Sequence, residues 1–422
     1  MSNPTDRDEA AWMHRKSTQA VGDMPPDAAR GSSAGARALA LLGLVLLASC
    51  ASVQPPAPGP VLPPDLHSAQ RDVLWTDLDD AAHRERVVRL IPGSVKDRIG
   101  WAVDLQLAFS ALKIVPAAPS YCAVIAVVEQ ESCFQTDPVV AGLPAIVQRE
   151  LERRADKYSI PMLLVNTALL VRSPNGRSYR ERIDALKTEK ELSDLFDDML
   201  AELPFGKDWL ADRNPVHTAG PMQVSIRFAE QHTARTPYPY TLGKRVRDDV
   251  FTRRGGLYFG AAILLDYAAP YDDVLYRFAD FNAGQFSSRN AAFQRALARL
   301  ARTDIAPDGD LLRYDTEGLP SEAPSQEERA LQALASPLGL SPAQIRSDLL
   351  LEKTASFGSS RLYERVFALA QTSTSQPLPR QAMPKIDLSS PKITRKLTTE
   401  WFAQRVLKRY QTCLARDAAA GG

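Results

Sequence analysis

Two carboxylates close an apolar run, and their spacing decides what they can do. Ser120 to Phe134 reads SYCAVIAVVEQESCF. Tyr121 to Val128 is almost entirely apolar, and Glu129, Gln130, Glu131 and Ser132 follow without a break. On a helix, residues two apart point roughly 200° apart. Glu129 and Glu131 therefore do not share a face and are not a paired acid and base. One can face a cleft while the other faces solvent or a basic partner. Glu131 lies nearer the end, where a substrate can reach it. A carboxyl held there against apolar groups has its pKa raised, the condition for a general acid near neutral pH. Two surface glutamates on an ordinary helix are the plainer alternative, and Glu129 reads as structural.

Two later stretches carry polar groups suited to binding. In His217 to Ser225 (HTAGPMQVS), Gly220 allows a close turn, Met222 offers a packing surface and Gln223 offers both a donor and an acceptor. In RFADFNAGQFSSRN, Phe281, Asn282, Ala283 and Gly284 follow Asp280, a further carboxylate. Arg289 and Asn290 can contact sugar or peptide, or cap the next helix. His217 reads as a loop hydrogen-bonder rather than a proton shuttle. The five histidines are scattered with no HxxxH spacing, and no CxxC is present. No metal site and no cofactor are expected.

Taken in order, these pieces resemble one family. Glu-Ser-x-Phe, then Gly-x-Met-Gln, then a glycine-rich amphipathic helix, then Phe-Asn-Ala-Gly is similar to the soluble lytic transglycosylase group of the lysozyme-like superfamily. The closer likeness is to a group of proteobacterial lipoproteins of unknown function. The resemblance covers about residues 95 to 300. It implies that Glu131 is the single catalytic acid and base, with Ser132 beside it. It implies that Gly220, Met222 and Gln223, and Phe281, Asn282, Ala283 and Gly284, line a sugar groove. Peptidoglycan glycan strands would be the substrate. Glycoside hydrolases usually flank the bond with two carboxylates. The family uses one. It protonates the glycosidic oxygen leaving MurNAc, then takes the proton from that sugar's own 6-hydroxyl, which closes a 1,6-anhydro ring without water. A lysozyme-type hydrolase and a non-catalytic wall-binding scaffold are the alternatives. Three departures stand out. Close to ninety residues separate Ser132 from Gly220, far more than the family's spacing. Pro221 replaces Leu. Phe281 replaces Tyr, so the phenol that can hydrogen-bond near the catalytic carboxyl is missing.

The elements that must position these groups read as helices. The run before Glu129 also suits a buried strand by its β-branched content, and periodicity cannot separate the two. Ser120 as a cap and the Glu-Gln-Glu continuation favour helix. In Lys96 to Leu112, Ile99, Val103 and Leu107 form a helical stripe, and Pro116 and Pro119 interrupt the chain before the central helix. Between the first two motifs, Pro144, Pro161 and the Thr188–Glu191 capping-box spacing punctuate an all-α insertion. Arg254 to Tyr267 reads as a small-residue helix, with Gly256 and Gly260 permitting close approach by a neighbour. The expected class is all-α: a lysozyme-like transglycosylase domain over 67–305, a helical insertion at about 140–213, and a linker with a helical C-terminal region over 306–422. Within the last part, 306–328 reads as linker or surface loop.

The start of the chain reads as an address. Arg30 and Arg37 precede the apolar run Ala38 to Ala48, too short to span a bilayer. It ends Leu47-Ala48-Ser49-Cys50, which resembles a bacterial lipobox. Residues 1–49 are then a signal peptide, Cys50 the lipidated residue, and 50–66 a proline-rich tether. Ala51 after the cysteine implies the outer membrane of a Gram-negative cell, the body facing the periplasm. Lys and Arg number 51 against 50 for Asp and Glu, so nucleic acid is not an expected partner. Cys122, Cys133 and Cys413 remain after Cys50, and an exported chain allows a disulfide. Phe402, Val406, Tyr410 and Cys413 share one helical face, which turns Cys413 toward packed surface. A Cys122–Cys413 bridge is preferred, because one at Cys133 would crowd Glu131. Three free buried thiols are the alternative.

Overall fold

The first described element, α1 (Asp80–Leu90), lies against α2 (Arg98–Leu112) and α3 (Ala118–Ser132). The structure is a computed structural model that describes residues 80–202, 213–241, 243, 245–315, 318–388 and 397–420. The expected signal peptide, Cys50 and the tether lie outside the described residues.

The run that ends in Glu129 and Glu131 is the helix α3. Its start is three residues earlier than Ser120 as a cap suggests. Ala117 is extended and Pro119 occupies the first turn, where a missing N–H costs nothing. Ser120 therefore lies inside the helix rather than capping it. A helix that is apolar on all sides must be buried on all sides, and α3 is buried from Tyr121 to Val128.

In α2 the stripe Ile99, Val103 and Leu107 does not face the core. Ile99 is 65% and Leu107 40% exposed. The opposite face carries Trp101, Leu105, Ala108, Phe109 and Leu112, which are buried in the first core and pack on α1 and on the later helix Arg253–Leu265, with Phe109 stacked on Tyr121 of α3.

The insertion has its own small core of Val140, Leu143, Ala155, Val165, Leu169, Tyr179, Ile183, Leu186 and Leu195. It comprises α4 (Leu143–Lys157), α5 (Met162–Ala168), α6 (Tyr179–Asp184) and α7 (Glu189–Glu202). Pro144 opens α4. Thr188 and Glu191 form the reciprocal capping pair: the Glu191 N–H donates to Thr188 Oγ1, and the Thr188 N–H donates to Glu191 Oε2. The apolar helix after Pro161 stops at Ala168 and leaves Leu163, Leu164 and Leu170 exposed.

A short hairpin follows, β1 (Thr218–Ala219) against β2 (Val224–Ser225), antiparallel with Thr218 opposite Ser225 and Ala219 opposite Val224. Then come α8 (Ile226–Arg235), α9 (Val246–Val250), α10 (Arg253–Leu265), α11 (Val274–Ala283) and α12 (Ser287–Ala301). Asp104 of α2 receives both Arg253 and Arg254 of α10, at 2.6 and 3.0 Å.

The chain then builds a second core from α12, α13 (Gln326–Ala333), α14 (Ala335–Leu338), α15 (Pro342–Leu349) and α16 (Arg361–Gln371). The stretch 306–328 is not a free linker. Leu311 and Leu312 are buried in this core, and Ser325 caps α13. After β3 (Asp387–Leu388) and β4 (Leu397–Thr398), which pair antiparallel, α17 (Thr399–Ala420) returns to the first core and packs along α1, α3 and α11.

Candidate functional site

Glu131 sits at the carboxyl end of α3 and is 0% exposed, as is Ser132. The Ser132 hydroxyl donates to Val128 O at 3.1 Å, back along its own helix. The helix ends because Cys133 and Phe134 both adopt left-handed backbone, φ 49° and 61°. Two successive non-glycine residues there cost roughly 1–2 kcal/mol each. Phe134 packs edge-on against Trp101 at 5.1 Å, which holds the turn. Glu129 faces away, toward Arg409 at 3.8 Å and Arg416 at 3.9 Å. The two glutamates separate as their helical spacing predicts, Glu129 onto a basic partner.

The middle motif is the turn of the hairpin. Gly220 has φ 74°, and a Cβ there would lie 2.1 Å from Val250 O, so only glycine fits. A Cβ on Gly256 would meet Pro221 at 2.5 Å, and one on Gly260 would meet the Met222 sulfur at 2.1 Å. The glycines of α10 thus admit Pro221 and Met222, the close approach expected of that helix. Gln223 is buried with φ 50°. Its Oε1 accepts from Thr218 Oγ1 at 3.1 Å, and its Nε2 donates to Gly220 O at 3.4 Å. His217 is half-buried, and burial beside Arg247 and Arg154 pushes its pKa down, so it is neutral near pH 7. Its backbone carbonyl accepts from Ile226 N–H.

The last motif ends α11. Phe281 is buried, Asn282 and Ala283 are half-buried, and Gly284 is exposed with φ 115°. Asp280 accepts from Tyr267 OH at 3.1 Å, Tyr271 OH at 2.7 Å, Phe286 N at 2.8 Å and Ser288 N at 2.7 Å. Burial pushes its pKa up to about 6 against the pull of these bonds. Its role is to tie α11 to the start of α12. Arg289 and Asn290 are buried and bond within the protein. Arg289 donates to Thr354 O and Glu352 O, and Asn290 Nδ2 to Gly309 O and Glu352 O. Neither caps α12, whose preceding residue Phe286 makes no side-chain cap.

One helix is the neighbour shared by all three motifs: α10 packs against α3, β2 and α11. Val128, Phe134, Met222, Val224 and Phe281 belong to a single core around it. Left-handed non-glycine backbone recurs beside each motif, at Cys133, Phe134, Gln223 and Phe286. The same backbone occurs away from the motifs at Asp97, Lys113, Ser159 and Arg302, so it does not by itself mark the site.

The element sequence reading did not connect to the site is α17. A disulfide joins Cys122 to Cys413, with Cα atoms 5.5 Å apart, and Cys133 lies outside this bridge and is exposed. Arg405 Nε donates to Gln130 Oε1 at 3.5 Å. Successive contacts at Cys122 and Gln130 from Cys413 and Arg405 mean that α17 runs antiparallel to α3. Its first turn therefore lies off the end where Glu131 sits. There Thr399 is 0% exposed, and its Oγ1 donates to Asn282 Oδ1 at 2.9 Å. The sequence signal available was Thr398-Thr399 just ahead of the apolar stripe Phe402, Val406 and Tyr410. Among the described residues no cluster of three or more His, Cys, Asp or Glu is arranged to hold a metal, and no helix is long and apolar enough to cross a membrane.

The fold and site define a mostly helical protein with a buried acid helix, a glycine-rich helix beside it and a C-terminal helix stapled across it. The chain belongs to the family described as "Protein of unknown function (DUF1615)", which matches residues 94–416. It is 46% identical over 376 residues to "Uncharacterized protein YaiW" of Escherichia coli (strain K12), covering 89% of this chain and 97% of that protein. No solved structure matches it.

Proposed function

We propose that the protein is a peptidoglycan lytic transglycosylase with a lysozyme-like fold, Glu131 serving as its single general acid and base. The observation that carries the reading is the placement of Glu131 at the end of a buried helix, with the elements bearing Gln223 and Asn282 packed on the same α10. In this reading the Glu131 carboxyl protonates the MurNAc–GlcNAc oxygen. The resulting carboxylate takes the proton of the 6-hydroxyl as it attacks C1, and the 1,6-anhydro ring closes. Asp280, the other carboxylate near the motifs, is committed to four donors, which favours cyclisation over a water-using hydrolase. In the same reading the body hangs from the outer membrane by lipidated Cys50 and faces the periplasm.

The complete enclosure of Glu131 and the missing hydroxyl at Phe281 favour a second reading, a peptidoglycan-binding scaffold without catalysis. Digestion of purified sacculi, with mass spectrometry of the released muropeptides, separates the two. The wild type is expected to release anhydro-ended products, and Glu131→Gln to release at least a hundredfold less, the scale of losing a general acid (~10²–10⁴-fold). Reducing ends in place of anhydro ends would indicate hydrolysis. No release by the wild type would support the scaffold, and equal release by the variant would remove Glu131 from the chemistry.

A further inference from the structure

We infer that the insertion docks the body on the bilayer that holds its anchor: the exposed apolar patch of Leu163, Leu164, Leu170 and Val171, with Arg172 and Arg177 at its edge, seats in an anionic phospholipid surface. The inference rests only on the membrane-anchored part of the proposed reading, and it gives the insertion a task.

The patch is contiguous and exposed. Leu163, Thr167 and Leu170 fall at i, i+4 and i+7, and Leu164 and Val171 keep the same spacing one residue on. The chain keeps turning past the end of α5, because the Leu170 N–H donates to Thr167 O and the Val171 N–H to Ala168 O. Leu163 is 76%, Leu170 65%, Leu164 46% and Val171 36% exposed. Val165 and Leu169, on the other side, fill the insertion's own core, so the exposed leucines are not what holds the insertion together. The one polar side chain in the row, Thr167, donates its hydroxyl to Leu163 O at 2.8 Å, so its donor is satisfied in an apolar medium. A contiguous apolar patch rimmed by charge marks a surface that meets a partner or a membrane.

Two observations name the occupant. The first is the charge of the rim. Arg172 follows Val171 directly, and the turn that carries Arg177 comes back to it, the Tyr179 N–H donating to Val171 O. Both arginines are exposed and donate to the carbonyl oxygens of Gly176 and Glu181 rather than to a carboxylate. The Glu181 carboxylate is taken by Ser178. Lys157 and Tyr158, both exposed, end α4 just ahead of Pro161 and α5. Leucines ringed by Arg, Lys and Tyr suit a headgroup region, where the apolar groups sink and the cationic ends stay among the phosphates. The second is reach. Roughly thirty residues join Cys50 to Asp80, a span of at most about 100 Å. A body tethered on that length meets its own bilayer at an effective concentration on the order of millimolar, so a patch of this size can dock without being an anchor itself.

The test uses the full-length acylated chain in vesicles of phosphatidylethanolamine and phosphatidylglycerol with brominated acyl chains. Leu163→Trp puts a fluorophore in the patch, and Leu350→Trp puts one at an exposed site of the second core. The added emission should be quenched at 163 and not at 350. In the Leu163→Trp background, Leu164→Ser with Leu170→Ser should lower the ratio of docked to undocked protein about tenfold or more, the scale of the apolar area lost. Leu164→Met with Leu170→Met should retain docking. Arg172→Gln and Arg177→Gln should each weaken docking about fivefold on these vesicles, and neither should on phosphatidylcholine. Equal quenching at 163 and 350, or none at 163, would overturn the docking while leaving the anchor standing. A blue shift of the 163 emission that grows with protein concentration and needs no vesicles would give the patch to a second copy, and overturn it too. The mass of the purified chain reads the anchor separately: an unacylated Cys50 would overturn the anchored reading and the docking with it.

Discussion

Four donors converge on Asp280, two phenols and two backbone N–H groups. Asp280→Ala would leave the Phe286 and Ser288 N–H groups without that acceptor in a buried turn, at about 1–3 kcal/mol each. The variant should unfold at lower denaturant with an unchanged slope. Its pH dependence carries a sign. The folded pKa of Asp280 is raised to about 6 from 3.8. The folded state then holds the proton more tightly than the unfolded one, so the stabilisation is fullest below about pH 4 and is lost as pH rises through about 6. The alanine variant lacks this titration. The stability gap between wild type and variant should narrow between about pH 4 and 6 in parallel denaturation series. A gap that widens would show the hydrogen bonds outweighing burial. The sequence motif singles out Glu131, but nothing in the sequence says what Asp280 bonds. Glu129 and Glu131 were separable by helical spacing alone. Asp280 required the positions of Tyr267 and Tyr271, which arrive from another loop.

At the scale of elements, the staple between α3 and α17 closes nearly three hundred residues, a sequence separation of 291. Loop-closure entropy for so long a loop gives a stabilisation of about 5–6 kcal/mol, above the ~2–4 kcal/mol that disulfides typically contribute. Cys122→Ser with Cys413→Ser should lower the melting midpoint by several degrees, and reducing agent should do the same to the wild type but not to the variant. The pairing was legible because Cys413 shares a helical face with Phe402 and Val406, all buried. Other element features were not. The stripe Ile99, Val103 and Leu107 has helical spacing but faces outward, because α2 is apolar on two faces and periodicity cannot say which face meets a neighbour. Ser120 looked like a cap, yet Pro119 tolerates the first turn and moves the start back. The close approach at Gly256 and Gly260 was readable from the residues, whereas its occupants, Pro221 and Met222, were set by the hairpin's position in space.

The whole molecule has a first core that gathers both ends of the described chain, a second core over residues 291–382, and a small core in the insertion. The Pro, Asp, Gly and Ser of 306–328 suggest a linker or surface loop; its described part before α13 is irregular and largely exposed, with Leu311 and Leu312 anchoring it in the second core. The first and second cores are coupled through the start of α12. Asp280 holds that start from the α11 side, and Arg289 reaches from it to Thr354 O and Glu352 O. Its guanidinium also lies over the rings of Phe286 and Phe357, at 4.4 and 5.2 Å. Burial pushes Arg289 down to about 10, so it is still charged at neutral pH and its donors matter. Arg289→Met keeps the length and removes every donor, so Thr354 O and Asn290 Oδ1 lose this partner, at about 1–3 kcal/mol each. Because the loss falls on the junction, hydrogen exchange should quicken across 291–382 while α3 and α17 keep wild-type protection. Uniform acceleration through both cores would instead mean that they unfold as one unit, and that Arg289 adds stability without linking them.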